Sequence, residues 1–127
     1  MNTENNELTE DLTDAEIAEY DETAKQLASK LNVSKVHVVV QIKPDTLERA
    51  VCYLKEPNYL TKVRIMDKAA SLGVYTAAEE LREMSVIKEH SDSLTYSDHF
   101  ESDRYKIGIL DYCLGMISRL QNQFKKK

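Results

Sequence analysis

The chain has 127 residues, of which 42% are hydrophobic, with no Trp, only three Gly and a net charge of −5 at pH 7. This length fits one domain with a single core, and the composition argues against a turn-rich sheet sandwich. No run approaches the roughly 18 apolar residues of a membrane span, and the acidic N-terminus does not have the pattern of a signal peptide. We expect a mostly α (α+β) fold of four to five helices with one strand or a small sheet, and a long C-terminal helix.

Acidic residues are concentrated at the start of the chain. Residues 1–22 carry nine acidic residues and no Lys or Arg, so the net charge of −5 leaves +4 for the rest of the chain. The segment 1–12 is too polar to offset its ordering entropy, and we expect a disordered acidic arm followed by a single domain at 13–127. Such an arm either stays solvated or binds a basic partner.

A capping box predicts the first helix, at 13–31. In Thr13-Asp14-Ala15-Glu16, the threonine hydroxyl and the glutamate carboxylate can each satisfy a free backbone N–H at a helix start. Asn32 is a plausible end. The apolar residues of this segment recur at intervals of three and four: Ile17, Tyr20, Ala24, Leu27 and Leu31.

The period changes from 3.6 to 2 between Lys35 and Lys43, which predicts a strand. One face carries apolar residues at even-numbered positions, and the other carries His37, Val39 and Gln41. We interpret His37 as a solvated strand histidine, because a tight metal site needs three or four ligands. The strand must pair with another segment, either 85–88 or 93–96 or a second copy of the chain.

The next stretch predicts helices separated by Pro57. Pro44-Asp45-Thr46-Leu47-Glu48 has the pattern of a helix start, and Asn58 can cap a helix at 59–72 that ends at Gly73. The two helices on either side of Pro57 would form a helical hairpin or a helix-turn-helix. Thr76-Ala77-Ala78-Glu79 predicts a further helix that fades by Lys88. For the helix at 59–72 we expect the buried residues Val63, Ile65, Met66, Ala69, Ala70 and Leu72.

A polar loop at 90–103 precedes the last predicted helix, at 104–124. This helix has the widest apolar surface in the chain, and its 3-4-3-4 spacing matches a helix–helix seam. Gly108 and Gly115 are unfavourable inside a helix, which indicates a close approach by a neighbour. We expect a homo-oligomer through this surface, although pairing with the helix at 13–31 could bury it instead. Its first row is Leu110, Cys113, Ile117, Leu120 and Phe124, and beside it lie Ile109, Tyr112 and Met116.

The sequence carries no catalytic or cofactor signature. There is no glycine-rich phosphate loop and no HExxH, GxSxG or EF-hand spacing. Cys52 and Cys113 fall where small core thiols would, on apolar helical faces. The best metal candidate, a set of loop donors, lacks a spacing signature: His90, Asp92, Asp98 and His99. We expect no enzyme activity, no metal and no cofactor.

Nucleic-acid binding would depend on the predicted helix pair at 45–72. Its second helix offers Arg64 and Lys68 with Asp67 between them, whereas a recognition helix presents several basic or amide side chains on one face. The acidic N-terminus also repels phosphate. A small helix-turn-helix-like DNA-binding regulator is therefore the second alternative function, and nucleic acid is not the expected partner.

The order of parts resembles the small tail-assembly chaperones of tailed bacteriophages over residues 35–124. The resemblance rests on an acidic helix, one strand, Pro44-Asp45-x-x-x-Arg49, and a helix after Pro-Asn that contains Arg64-Ile65-Met66-Asp67, then a polar loop before a closing helix. It implies transient, non-catalytic binding of an aggregation-prone phage structural protein during virion assembly. The implied location is the host cytoplasm, with the virion as the alternative. The first alternative is a permanent phage structural protein of the head or head–tail region. Candidate interaction residues are Leu110, Cys113, Ile117, Leu120, Phe124, Gly108, Gly115, Arg64 and Lys68.

Overall fold

The structure is a computed structural model that describes residues 9–123. Residues 1–8 of the expected acidic arm, as well as Phe124, lie outside the described residues. Within them the expected fold is confirmed: mostly α-helix with a small two-stranded sheet and a long C-terminal helix. Three single-turn 3-10 helices occupy the loop before the last helix. The main elements are α1 (Asp14–Leu31), β1 (Val36–Ile42), β2 (Arg49–Lys55), α2 (Tyr59–Leu72), α3 (Val74–Ser85) and α4 (Asp103–Gln123).

The predicted capping box starts α1. The Thr13 hydroxyl accepts from the Glu16 N–H at 3.1 Å, and the Glu16 carboxylate accepts from the Thr13 N–H at 2.9 Å. Asn32 ends the helix in the left-handed conformation, with φ of 57°. Just before α1, the backbone carbonyls of Thr9 and Asp11 accept hydrogen bonds from the guanidinium of Arg49, so this short part of the expected arm contacts β2.

The strand partner of β1 is the next segment of the chain, and the helix predicted to start at Pro44 to Glu48 and to end at Pro57 is wrong. β1 and β2 form an antiparallel hairpin in which Val39 lies opposite Cys52. The N–H of Leu47 donates to the Lys43 carbonyl at 2.8 Å, and Leu47 takes a left-handed φ of 62° to turn the chain. The helix-turn-helix at 45–72 therefore does not form. The backbone groups of β1 needed a partner, and a hairpin supplies the nearest one.

Both faces of the hairpin are covered by helices. On one face, Val36 and Tyr53 pack with Ala24 and Leu27 of α1. On the other face, the side chains of β2 pack against α3 and α4 in the main core. This core includes Cys52, Leu54, Leu81, Ile109, Cys113 and Ile117.

Helices α2 and α3 differ from the expectation at their junction and in what they bury. Gly73 has a φ of +103°, which favours glycine, and α3 follows directly from Val74. The predicted start at Thr76 is therefore wrong, because the turn at Gly73 lets the helix begin two residues earlier. Ile65 and Ala69 of α2 are buried as expected, but Val63 and Leu72 are 46% and 63% exposed, and Ala70 is exposed.

The apolar rows of α4 lie largely in the protein's own core. Cys113 and Ile117 are 0% and 1% exposed, and α4 packs against α3 and the sheet rather than against α1. A β-carbon at Gly108 would come within 2.1 Å of the Gln41 side chain, so a close approach explains this glycine. At Gly115 the nearest atom is 3.7 Å away, on Arg119, so the same explanation is wrong there.

Both cysteines are buried free thiols. Cys113 lies on α4, but Cys52 lies on β2 and not on a helix as expected. Burial raises the pKa of both thiols, and that of Cys113 reaches about 12. The reactive thiolate is therefore strongly disfavoured at both positions.

The same substitution at a buried and at an exposed position of α4 tests this packing. Ile117 is 1% exposed and Ile107 is 63% exposed. We expect Ile117→Asp to lower the free energy of unfolding by about 4 kcal/mol or more, because its carboxylate would be buried without a partner. Ile107→Asp should change it by less than about 1 kcal/mol. Circular dichroism melting measures both, and a folded, monomeric Ile117→Asp from an oligomeric wild type would instead support the predicted seam.

Candidate functional site

A cleft of about 510 Å³ opens where the free end of the hairpin meets α2 and α4. Its volume lies in the range of small-ligand sites. Ile65, Leu81 and Met116 contribute its apolar side, and the polar side is built around His37.

His37 is held at both ring nitrogens. Its Nε2 lies 2.6 Å from a Glu56 carboxylate oxygen, and its Nδ1 lies 2.7 Å from the Tyr112 hydroxyl. Because a carboxylate only accepts, Nε2 carries the hydrogen and donates it to Glu56. The histidine is 7% exposed, so the interpretation of a solvated residue is wrong. The face of β1 that carries His37 is covered by α4, which the sequence pattern does not reveal.

Glu56 is positioned by the hairpin and by α2. Its N–H donates to the Lys35 carbonyl at 2.9 Å, which extends the hairpin by one pair and places the carboxylate beside His37. Lys62 of α2 lies 2.8 Å from the second carboxylate oxygen. Desolvation by burial raises the pKa of Glu56, but the hydrogen bonds from Lys62 and His37 outweigh it, and the net pKa is lowered. Glu56 is therefore ionised at neutral pH.

The polar groups of this cluster are hydrogen-bonded or ion-paired with one another. Burial raises the pKa of Tyr112, which keeps its phenol neutral and weakly nucleophilic. Both ring nitrogens of His37 are hydrogen-bonded, one to Glu56 and the other to Tyr112. The network ties β1, the end of β2, α2 and α4 together at one point.

Comparison with known proteins found no matching family model, no similar curated protein and no similar solved structure. The function is therefore inferred from the surfaces of the described residues, 9–123. Two of the predicted interaction residues on these surfaces, Arg64 and Lys68, both pair with Glu80 of α3, and the Arg64 distance is 2.7 Å. These two cations fasten α2 to α3 and do not form an open basic patch.

The predicted row on α4 divides by depth. Cys113 and Ile117 are in the core, whereas Leu110 and Leu120 are half-buried, with Leu120 lining the cleft. Gly108 faces Gln41, and Gly115 is half-buried. The structure therefore does not bring the predicted residues together as one exposed surface.

An apolar surface that the sequence analysis missed lies on α2. We call it the α2 outer face. Tyr59 and Leu60 are 76% and 75% exposed, although both begin a helix that packs well elsewhere. Three residues of this face were expected to be buried. The 3.6 period shows that a helix has apolar rows, but it does not show which row packs against the core. The face consists of the exposed residues Tyr59, Leu60, Val63 and Ala70 and the half-buried Met66.

The predicted metal donors serve other roles. The Asp92 carboxylate accepts from the Leu94 N–H at 3.0 Å and lies 3.3 Å from Lys43, while His99 accepts from the Glu101 N–H. In the described part of the chain, no three His, Cys, Asp or Glu side chains are grouped as a metal site would require. None of the helices formed by residues 9–123 has the length and apolarity needed to cross a bilayer.

The pH dependence of stability tests the role of Glu56. Its pKa in the folded protein lies below the ordinary value of 4.5, so its stabilising contribution is complete above that value and is lost as the pH falls through the folded pKa. We expect Glu56→Gln to be less stable than wild type at neutral pH, with a difference that shrinks below pH 4.5. Urea unfolding across this range measures it, with the exposed Glu89→Gln as control. A difference that stays constant with pH would contradict the role given to the ionised carboxylate.

Proposed function

We propose that this protein is a non-catalytic interaction factor that binds an apolar surface of another polypeptide through the α2 outer face. The supporting observation is the run of exposed apolar side chains at Tyr59, Leu60 and Val63, at the start of a helix whose opposite side packs into the core. Contiguous exposed apolar surface of this kind marks interaction sites in soluble proteins, whereas single exposed apolar residues do not.

The size of the face favours a transient complex. Burying its five side chains contributes on the order of 5 kcal/mol before the cost of association is subtracted. An association cost of about 4 kcal/mol or more offsets most of this contribution, so the face alone supports only weak, transient binding. A permanent subunit needs additional contacts.

The absence of catalysis in this proposal rests on the chemistry of the cleft. The most organised polar cluster in residues 9–123 has its histidine occupied at both nitrogens and its tyrosine held as a neutral phenol. The thiols of Cys52 and Cys113 are buried with raised pKa values. We propose that these groups stabilise the fold rather than act as a nucleophile or a base.

The sequence resemblance to tail-assembly chaperones suggests the biological setting. In that setting the partner is a phage structural polypeptide, and binding takes place in the host cytoplasm during virion assembly. A permanent head or head–tail protein is the second candidate, and it would use the same apolar face within the particle. The DNA-binding regulator loses its basis, because residues 49–55 form a strand.

Photo-crosslinking at the α2 outer face tests the proposal. A photoreactive amino acid replaces Leu60 in cells that produce the phage, and a matched variant carries it at Ile107, which is 63% exposed on α4. We expect a crosslink to a phage structural protein from position 60 and none from position 107, with the protein absent from purified particles by mass spectrometry.

The other outcomes separate the alternatives. Crosslinking at position 60 together with retention in particles would indicate a structural protein. Crosslinking between two copies at position 60 would show that the face mediates self-association. Equal crosslinking from both positions, or none from position 60, would contradict the proposed role of this face.

A further inference from the structure

The outer edge of β1 has the backbone groups needed to bind another strand. Just beyond the two ends of the ladder, the Lys35 carbonyl accepts from the Glu56 N–H at 2.9 Å and the Lys43 N–H donates to the Glu48 carbonyl at 2.8 Å. Bonded pairs alternate along an antiparallel ladder, so the odd-numbered residues of β1 bond to β2. The even-numbered residues, Val36, Val38, Val40 and Ile42, direct their N–H and C=O groups away from it. Within residues 9–123 no other backbone segment bonds to these four residues.

The outer edge of β2, at the other side of the sheet, is hydrogen-bonded to the chain that follows α3. On β2, the Tyr53 carbonyl accepts from the Ile87 N–H at 2.8 Å, and the Val51 carbonyl accepts from the Asp92 N–H at 2.8 Å. The Tyr53 N–H donates to the Ser91 hydroxyl at 2.9 Å. The chain after α3 therefore covers the β2 edge, and β1 carries the only edge in the described part of the sheet that remains open.

The open edge also lacks the usual protection against pairing. Natural edge strands are interrupted by proline, by bulges or by charged residues, or they are very short. β1 is seven residues long, pairs continuously with β2 and contains neither Pro nor a formally charged Asp, Glu, Lys or Arg between Val36 and Ile42. Four of its seven residues are valine, which has a high strand propensity.

A groove follows the start of this edge. It has a volume of about 380 Å³ and is bounded by Ala24 and Ala28 of α1, by residues 36–38 of β1 and by Tyr112 of α4. The small alanine side chains leave room above the sheet. The added strand would therefore enter between two existing helical layers, with main-chain partners along β1 and side-chain contacts on both faces.

A second copy of this chain does not fit the edge in a two-fold arrangement. The α1 backbone runs closer to β1 than to β2, so two paired β1 strands, about 4.8 Å apart, would bring their α1 helices closer than the 8–10 Å that packed helices need. Pairing centred on Val39 would also set Lys35 opposite Lys43 of the other copy. Like charges directly opposite each other are destabilising.

We propose that the β1 edge binds an extended segment of a different polypeptide by strand addition. The segment is apolar and rich in β-branched residues, and it carries an acidic residue at the end beside the groove, where Lys25 and Lys35 outnumber the one carboxylate of the lining, Asp21. This site is separate from the α2 outer face, so it stands or falls independently of that face. An extended, incompletely folded chain has the conformation that this edge can bind.

Amide hydrogen exchange measured by nuclear magnetic resonance tests strand addition residue by residue. The probe is a seven-residue peptide of alternating Val and Thr with Glu at both ends, and the control peptide has Pro at alternate positions. We expect the probe to slow exchange at Val36, Val38, Val40 and Ile42 by tenfold or more. The amides at His37, Val39 and Gln41 already bond to β2, so they should change little. The control peptide should have no effect.

Two variants provide the matched controls. Val40→Pro removes an N–H that points away from β2, so the hairpin ladder remains, and the probe should bind at least tenfold more weakly. Val40→Thr keeps the N–H and should bind as wild type does. Circular dichroism establishes that both variants are folded, and if Val40→Pro is not, N-methylation of the probe at alternate residues makes the same test from the peptide side.

Three results would overturn the proposal. The first is no alternating protection at peptide concentrations up to about 1 mM, the affinity limit of a useful site. The second is a probe that perturbs Leu60 and Val63 but not β1, which would assign peptide binding to the α2 outer face. The third is concentration-dependent protection of the β1 edge without peptide, accompanied by a dimer in light scattering, because a second copy would then occupy the edge.

Discussion

The two-stranded hairpin imposes the constraint on which the rest of the structure depends. A hairpin of this size is at best marginally stable in water, so it persists only when its faces are packed. Here α1 covers one face, while α3 and α4 cover the other. On that second face Leu54 of β2 lies in the same core as Ile109 and Ile117 of α4. The apolar rows of α4 are largely buried against the hairpin and α3. The surface that the sequence predicted for self-association therefore lies mostly inside the molecule. The chain after α3 then completes the β2 edge.

What remains outside this packing is informative. The His37 network closes the free end of the hairpin, because it joins β1 to Glu56 and to Tyr112 of α4. The ion pairs of Glu80 hold α2 against α3 through Arg64, which leaves the opposite side of α2 directed outward. The exposed apolar side chains of α2 and the outer edge of β1 therefore lie outside the packed core. Binding there can occur without disturbing the core.

Much of the fold could be predicted from local sequence, but the site could not. α1 and α2 have clear side-chain caps, and α4 has sustained apolar periodicity, so all three are close to their predicted bounds. β2 was predicted as a helix because Asp45 and Glu48 have the spacing of a capping box. The short apolar segment after them fits both the helical period of 3.6 and the strand period of 2. Only the need of β1 for a pairing partner distinguishes a strand from a helix there. His37, Glu56 and Tyr112 are far apart in the sequence, and no local pattern indicates that they meet.

The central claim is that the fold depends on a hairpin covered on both faces, with one strand edge left open. Native-state hydrogen exchange of the isolated protein tests this claim most directly. The account predicts the slowest exchange at Val39, Cys52 and Leu54 and along residues 109–117 of α4, near the free energy of global unfolding. It predicts much faster exchange at Val38 and Val40, on the open edge of the same strand. Slow exchange throughout β1, or exchange in β2 as fast as at the ends of α1, would contradict the account.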